Sequence, residues 1–526
     1  MKDKITKISS LSAKAGLIFA LCIALLISAV LFLLSMVETA NVQLNEHITF
    51  YSDNIFCNIV CLAAVCILGT AVMIFAKKTK AVGFFSSSQL AVICGTLSLI
   101  LGVVWIVQSK VLPTHDSFIV TNAGVSAAQG DFSPLQKNYF DHFPFQLGYV
   151  LWNELFARLF SVDTAKDFIV LQCVNVFAWA LSVIGLVKIT DRIFKNRYVT
   201  FATSLMLVVF VQPVIFSVFL YGTLPGFVFS VWSVFFFIRY LEKGKIYNGV
   251  ISAVLISISV CLKLNNMIFA VAMIILFMID VLKDKRIRSI ACAVLMCFLV
   301  VTVKQLPIKY YEAKADTEFE DGIPMTCWLS MGLGESAFAP GWYDSADTVI
   351  LYQKMNGDID KINEITKENI KERIGFFIDN PADAYDFFKD KTSSQWNETS
   401  FQSIWNNNVR GQFGEKTGVA KYVCSDGEKG TKKVMDITVQ TVYFGFTCAC
   451  FYLVYTSFKR KNTDISSVVL LVIIIGGFLY HLLFEAKSQY VLPYVIIMIP
   501  YAVYGLYKLF QFLKYVTIKN KQKYLR

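Results

Sequence analysis

The chain has 526 residues, 56% of them hydrophobic and 17% charged, with a mean hydropathy of +0.56. Soluble domains carry roughly a quarter charged residues, so the composition excludes a soluble enzyme, a disordered chain and a small disulfide scaffold. The formal charge of +11, from 49 basic and 38 acidic residues, points in so apolar a chain to basic cytoplasmic loops and implies no nucleic-acid partner.

Twelve apolar runs approach the roughly 20 residues a helix needs to cross a bilayer. They lie near 13–36, 56–76, 89–108, 167–187, 199–219, 225–240, 248–263, 266–282, 289–306, 437–457, 465–484 and 490–513. Lys2, Lys4 and Lys7 precede the first, but it is too long for a signal peptide and no small-residue cleavage site follows. A retained anchor is expected. The runs between 225 and 263 are short and closely spaced, and one of them is a candidate for a broken or re-entrant segment.

Basic residues follow every even-numbered run. Lys77, Lys78 and Lys80 come after the second, Lys188, Arg192, Lys195 and Arg197 after the fourth, and Lys243 and Lys245 after the sixth. Lys283, Lys285, Arg286 and Arg288 follow the eighth, Lys459, Arg460 and Lys461 the tenth, and five more basic residues lie between Lys514 and Arg526. This distribution predicts a multi-pass protein of the cell membrane with both termini cytoplasmic.

Three long loops then fall outside. The first, 37–55, has no Lys or Arg, and the second is 109–166. The third, 308–436, holds 22 acidic against 15 basic residues, leaving 34 basic and 16 acidic residues on the rest of the chain. It is too long for a structureless loop. With Trp328, Trp342, Trp396, Trp405 and helix-like stretches near 357–374 and 382–391, it reads as a small folded unit on the outer face. The expected organisation is therefore a transmembrane region 1–307 that includes the outer loop 109–166, an extracytoplasmic segment 308–436, and transmembrane helices with a basic cytoplasmic tail over 437–526.

Eleven of the thirteen cysteines lie in or beside apolar runs, as small hydrophobes do. Cys327 and Cys424 fall in the large loop, where a disulfide is open to them without any framework of spacings to support it. There is no CxxC pair, no HExxH and no glycine loop ending in Lys-Ser or Lys-Thr. The glycines at 332, 334 and 341 lack that lysine and are weak evidence for phosphate binding.

The remaining polar residues gather at the outer ends of the runs. Pro113, Thr114, His115, Asp116 and Ser117 follow the third run. Asp116 suits either a helix cap for the segment up to Ala128 or a working carboxylate. The same loop continues through Asp131, Tyr139, Asp141 and His142 to Gln146, and then Leu147, Leu151, Leu155 and Leu159 recur at four-residue steps. That spacing predicts an amphipathic interfacial helix. Between the last two runs stand His481, Glu485, Lys487 and Tyr490, where Glu485 and Lys487 suit either a salt bridge or a site. Lys263 lies at the outer end of the seventh run, where snorkelling explains it equally well.

An acidic residue just outside an early helix, interfacial helices in the next loop and a late histidine before Glu-x-Lys-x-x-Tyr resemble the GT-C glycosyltransferases. These are polytopic enzymes that include protein O-mannosyltransferases and lipid A aminoarabinose transferases. The stretches 115–146, Gly341-Trp342-Tyr343 and 476–494 are similar to Gram-positive bacterial members described as family 39-like. The chain differs in having two runs before the one that leads to Asp116, and in lacking a paired Asp-Glu in its first catalytic loop.

The resemblance implies an all-α GT-C-like bundle of about twelve transmembrane helices in a Gram-positive plasma membrane. It further implies transfer of a sugar from a polyprenyl-phosphate donor to an extracytoplasmic acceptor. Asp116 would be the base of an inverting displacement, and Lys263, Lys487 and His481 would face the phosphate. Tyr139, Gln146, Glu485 and Tyr490 would position the sugar, with His115, Asp141 and His142 nearby. Relatives differ in their use of a divalent cation, and no metal is assigned. The alternatives are a secondary transporter or lipid-carrier flippase, and an enzyme like the O-antigen ligases. The chain shows no obvious repeated halves of the kind transporters carry.

Overall fold

The computed structural model describes residues 2–524 apart from 137–138, 164–166, 285 and 460–463. Lys285, Arg460, Lys461 and Arg526 thus lie outside the described residues, as do the side chains of Lys2, Lys4, Lys7, Lys521 and Lys523. From the start, α1 (Lys2–Val37) leads into a hairpin, β1 (Glu38–Val42) and β2 (Ile48–Ser52), then α2 (Ile55–Lys78), α3 (Ala81–Phe84) and α4 (Ser87–Ser109). The loop 109–166 contains α5 (His115–Ala128), α6 (Tyr139–His142) and α7 (Leu147–Phe160). Next come α8 (Phe168–Phe194), α9 (Arg197–Val209), α10 (Gln212–Phe216), α11 (Thr223–Lys243), α12 (Ile246–Leu262), α13 (Met267–Asp284) and α14 (Arg288–Val303). The long third segment holds α15 (Gln305–Ala315), α16 (Met325–Leu333), α17 (Leu351–Lys354), α18 (Ile359–Asp379), α19 (Pro381–Trp396), α20 (Ser403–Val409) and α21 (Gly418–Lys421). The chain closes with α22 (Glu428–Lys459), α23 (Val469–Leu483) and α24 (Ser488–Tyr524).

Among the described residues, ten helices are long and apolar enough to cross a membrane, and Arg197–Val209 and Ile246–Leu262 are shorter apolar helices. The fold is that of an all-α polytopic membrane protein. Its core runs through α1, α8, α11, α13, α22, α23 and α24. The outward faces stay apolar, as at Phe56, Ile67 and Phe75 of α2, which is how a helix meets lipid.

Two expectations about the spans need correction. The run 199–219 is not one helix. It stops at Val209, Pro213 sits in the first turn of the five-residue α10, and the chain leaves helical geometry until Gly222. A proline cannot supply the N–H an uninterrupted helix needs. The break expected within 225–263 therefore lies earlier, and α11 runs unbroken for 21 residues.

The loop 37–55 is an antiparallel hairpin pairing Glu38 with Ser52 and Val42 with Ile48. It packs Ala40, Val42 and Ile48 against Ala339, Trp342 and Ala486. In α7, Asn153 and Glu154 are buried beside Leu147, Val150 and Ala157 while Leu155 and Leu159 are exposed, so two polar residues share the helix's inward side. Glu154 accepts from Arg158 at 2.8 Å, Tyr310 at 3.1 Å and Tyr311 at 2.6 Å, a fully partnered carboxylate that ties α7 to α15.

The long segment has a small core of its own around Ile323, Cys327, Tyr352 and Ile362. Beyond it, Lys391–Asn407 is almost wholly buried despite twelve Thr, Ser, Gln, Asn or Glu residues. The spans receive its polar groups. Tyr443 donates to the Trp396 carbonyl at 2.8 Å, Gln212 to that of Thr399 at 3.3 Å, and Asn407 to that of Ile215 at 3.0 Å. Cys327 and Cys424 form no disulfide. Both are free and buried in different clusters, and burial raises each thiol to about 12.

Candidate active site

Asp116 stands in the first turn of α5 but does not cap it. The cap position is Thr114, whose side chain makes no capping bond. His115, between them, is exposed and adopts a left-handed φ of 51°. The exposed Asp116 carboxylate accepts from the Tyr221 hydroxyl at 3.4 Å. Tyr221 reaches it because Gly222, at φ 80°, lets the chain pass so close to the end of α12 that a Cβ there would lie 2.3 Å from the Leu262 carbonyl. The neighbouring Lys263 is brought to the same spot.

Lys263 places its ammonium 4.2 Å from the centre of the Tyr221 ring and 5.4 Å from that of Tyr490, within cation–π range. Burial lowers it to about 8, although Glu485 and Asp116 oppose the shift. It makes no ion pair among the described residues. Burial likewise raises the Glu485 carboxyl, against the pull of Lys487 and Lys263. Tyr490 donates to Glu485 at 3.3 Å.

Lys487 pairs at 2.8 Å with Glu46 at the tip of the hairpin, so the Glu485–Lys487 salt bridge weighed above is not formed. Burial disfavours its charge, but Glu46 and Glu485 outweigh that and its value is raised. Gln402 also donates to Glu46, at 3.1 Å. Burial raises Tyr139 and Tyr221, with the Asp116 charge adding to each. It raises Tyr343 too, within reach of Asp116, Glu485 and Lys487.

The turn bearing Glu485 and Lys487 is fixed from behind. Ala486 donates its N–H to the Gly341 carbonyl at 2.8 Å, and Gly341 donates to Gly334 at 2.9 Å. A Cβ on Gly332 would lie 2.3 Å from the Leu483 carbonyl, and one on Gly341, at φ 71°, 2.6 Å from that of Gly332. The glycines weighed as a phosphate loop serve this close backbone packing. Buried Lys391 donates to the carbonyls of Gly332 and Phe484, and burial lowers it to about 7. Two residues before Asp116, Thr114 receives Arg410, which donates to its carbonyl at 2.9 Å and its hydroxyl at 3.2 Å.

Of the residues singled out from sequence, Asp116, Tyr139, Lys263, Glu485, Lys487 and Tyr490 come together. His481 adjoins this group through Glu485 and Tyr490, and His115 precedes Asp116 in the same turn, while His142 and Gln146 stand apart. His142 packs edge-on against Tyr352 at 5.2 Å, and burial lowers its value although Asp141 opposes this. Gln146 is buried at the start of α7. His481 is buried among Tyr480, Tyr490 and Tyr494, with Nδ1 3.4 Å from the Glu485 carbonyl. Sequence reasoning missed Glu46, Tyr221, Tyr343 as a site residue, and Arg410. Only Tyr343 carried a local signal, in Gly341-Trp342-Tyr343. No group of three or more His, Cys, Asp or Glu suited to a metal occurs among the described residues.

No protein-family model matches the chain, and no curated protein does. Six solved chains match. One is the crystal structure of the Archaeoglobus fulgidus oligosaccharyltransferase complex with Zn and sulfate, at 14% identity and a TM-score of 0.44, over 81% of this chain and 50% of that one. This chain thus spans about half the length of that structure. So distant a likeness assigns neither activity nor site.

Proposed function

We propose that the protein is a membrane glycosyltransferase of the GT-C type, similar to family 39-like bacterial members. It moves a sugar from a polyprenyl-phosphate donor to an extracytoplasmic acceptor, with both termini in the cytoplasm of a Gram-positive cell. The observation that carries this reading is an exposed carboxylate, Asp116, bonded to Tyr221, whose ring also meets a half-buried lysine, Lys263, that makes no ion pair among the described residues.

That pair suits the two needs of the reaction. A sugar C1 bonded to phosphate already has a good leaving group, and its departure is helped by positive charge where phosphate charge develops. Lys263 supplies that charge, with Lys487 behind it. The acceptor hydroxyl is a poor nucleophile until its proton is removed, which is the role of Asp116. The acceptor oxygen bonds to C1, the C1–O bond to phosphate breaks, the proton goes to Asp116, and polyprenyl phosphate leaves. One displacement inverts C1. Tyr139, Tyr221, Tyr343 and Tyr490 offer rings and hydroxyls for the sugar, and Glu485 an acceptor.

The test is to offer purified full-length protein labelled polyprenyl-phosphate sugars. Carrier cleavage with an inverted product is expected. Vesicles that move an intact solute without cleaving any carrier would replace this reading by a transporter.

A further inference from the structure

The long segment returns to Asp116 at residues 410–413. There Gln412 bridges antiparallel to Val111, Leu112 donates to the Gly411 carbonyl at 2.7 Å, and Phe413 donates to that of Lys110 at 3.2 Å. Arg410 ends this pairing. Its Nη1 takes both oxygens of Thr114, its Nε donates to Asn406 at 2.8 Å, and its guanidinium lies 4.3 Å from the centre of the Phe219 ring. Asn406 is itself buried in the polar stretch that enters the bundle.

The grip falls next to a strained residue. His115, with φ 51°, adopts a conformation that persists in a non-glycine residue only where the chain on both sides is held. After it, Ser117 is tied to the Leu220 carbonyl at 2.9 Å. Before it, Arg410 supplies the hold. Thr114, placed where its hydroxyl oxygen would cap α5, gives that oxygen to Arg410 instead. Asp116 is the next residue along, so the direction of its carboxylate depends on this turn.

We infer that Arg410 is a positioning residue: by gripping Thr114 it holds the His115 turn and aims Asp116 at the Tyr221–Lys263 pair. The inference rests on the role proposed above for Asp116. Two of the three guanidinium nitrogens are already engaged with protein, which sets Arg410 apart from Lys263 as a receiver of substrate charge.

The test compares full-length wild type with Arg410→Ala, Arg410→Lys and Thr114→Val, by donor turnover and by hydrogen exchange over 112–118. In Arg410→Ala, kcat falls about tenfold or more while donor KM stays within about twofold, because the loss concerns aim and not donor contact. Exchange over 112–118 rises about tenfold while that of α22 is unchanged, the mark of a local opening. Arg410→Lys keeps the charge without the two-point grip and restores neither fully. Thr114→Val removes one contact and gives a smaller change in the same direction, which keeps the question open to measurement if Arg410→Ala fails to fold.

Full rescue by lysine would overturn the inference, as would a raised KM with unchanged kcat and wild-type exchange, which would mark Arg410 as a donor contact. If the wild type cleaves no carrier, the glycosyl-transfer reading fails, while the exchange comparison still reports whether Arg410 holds the turn.

Discussion

The two ends of the helix bundle hold the same kinds of charged residue and treat them differently. At the end where α8, α11 and α13 finish, charges close on one another. Arg192 pairs with Glu242 at 2.5 Å. Arg286 reaches Asp280 at 3.6 Å and donates to the Leu241 carbonyl at 2.6 Å, and Ser289 donates to Asp280 at 2.6 Å. At the other end, Asp116 accepts one long bond, from Tyr221, and Lys263 rests on two rings. A buried charge costs several kcal/mol unless it is paired. The first end meets much of that cost with protein partners, although one Asp280 oxygen has only the Arg286 charge at 3.6 Å and no hydrogen bond. At the second, Lys487 is paired with Glu46, but the half-buried Lys263 and the exposed Asp116 have no ion pair among the described residues, which leaves them open to a ligand.

The sharpest way to break this contrast is to remove a cation from each end. Lys263→Met is expected to lower kcat/KM for the donor about a hundredfold, the scale of losing one preorganised charge at a departing group. Arg286→Met should lower the melting temperature and leave kcat/KM near wild type. Comparable kinetic losses in both would mean that the ends do not differ in kind.

The second test is pH. Lys263 is lowered to about 8 by burial, so its charge is present below that value and lost as pH rises through it. Donor affinity should weaken from pH 7 to 9 in the wild type, and Lys263→Arg, charged throughout, should flatten that slope. A third, smaller effect concerns the hairpin. Glu46→Gln removes the partner of Lys487 and should cost about 1 kcal/mol, as a partly exposed ion pair does, read as a lower melting temperature. An unchanged melting temperature would show that the pair contributes nothing.

A further effect, on stability alone, is at Lys391, lowered to about 7 by burial. An unfolded lysine still binds its proton between pH 7 and 10, so the penalty for burying the charge is full below about 7 and lifts as pH rises. Wild-type melting temperature should therefore climb over that window relative to Lys391→Met. Parallel pH curves for the two proteins would contradict the assignment.

Hydropathy makes the spans legible because lipid imposes one simple demand, and ten long helices among the described residues meet it. The break at 210–222 escapes that reading because apolar residues run straight through Pro213. The stretch 391–407 is harder still. A polar run reads as solvated, yet here carbonyls and side chains of distant helices partner it. The cluster around Asp116 is partly legible, since Asp116, Lys263, Glu485 and Lys487 all stand beside the ends of apolar runs. Glu46 and Arg410 are not, because what brings them there is a hairpin and a returning segment bridged at Gln412 that no local pattern announces. His142 and His481 drew notice through crowded polar neighbours; His142 packs against Tyr352, whereas His481 stacks on Tyr490 at the edge of the cluster.

The central claim is that Asp116 removes a proton during sugar transfer, and the most direct measurement is single-turnover release of polyprenyl phosphate under saturating donor. Asp116→Asn should slow that release by about a hundredfold to ten-thousandfold, the usual contribution of a general base. Asp280→Asn, its counterpart at the other end, should release carrier at the wild-type rate. Equal release by wild type and Asp116→Asn would contradict the account.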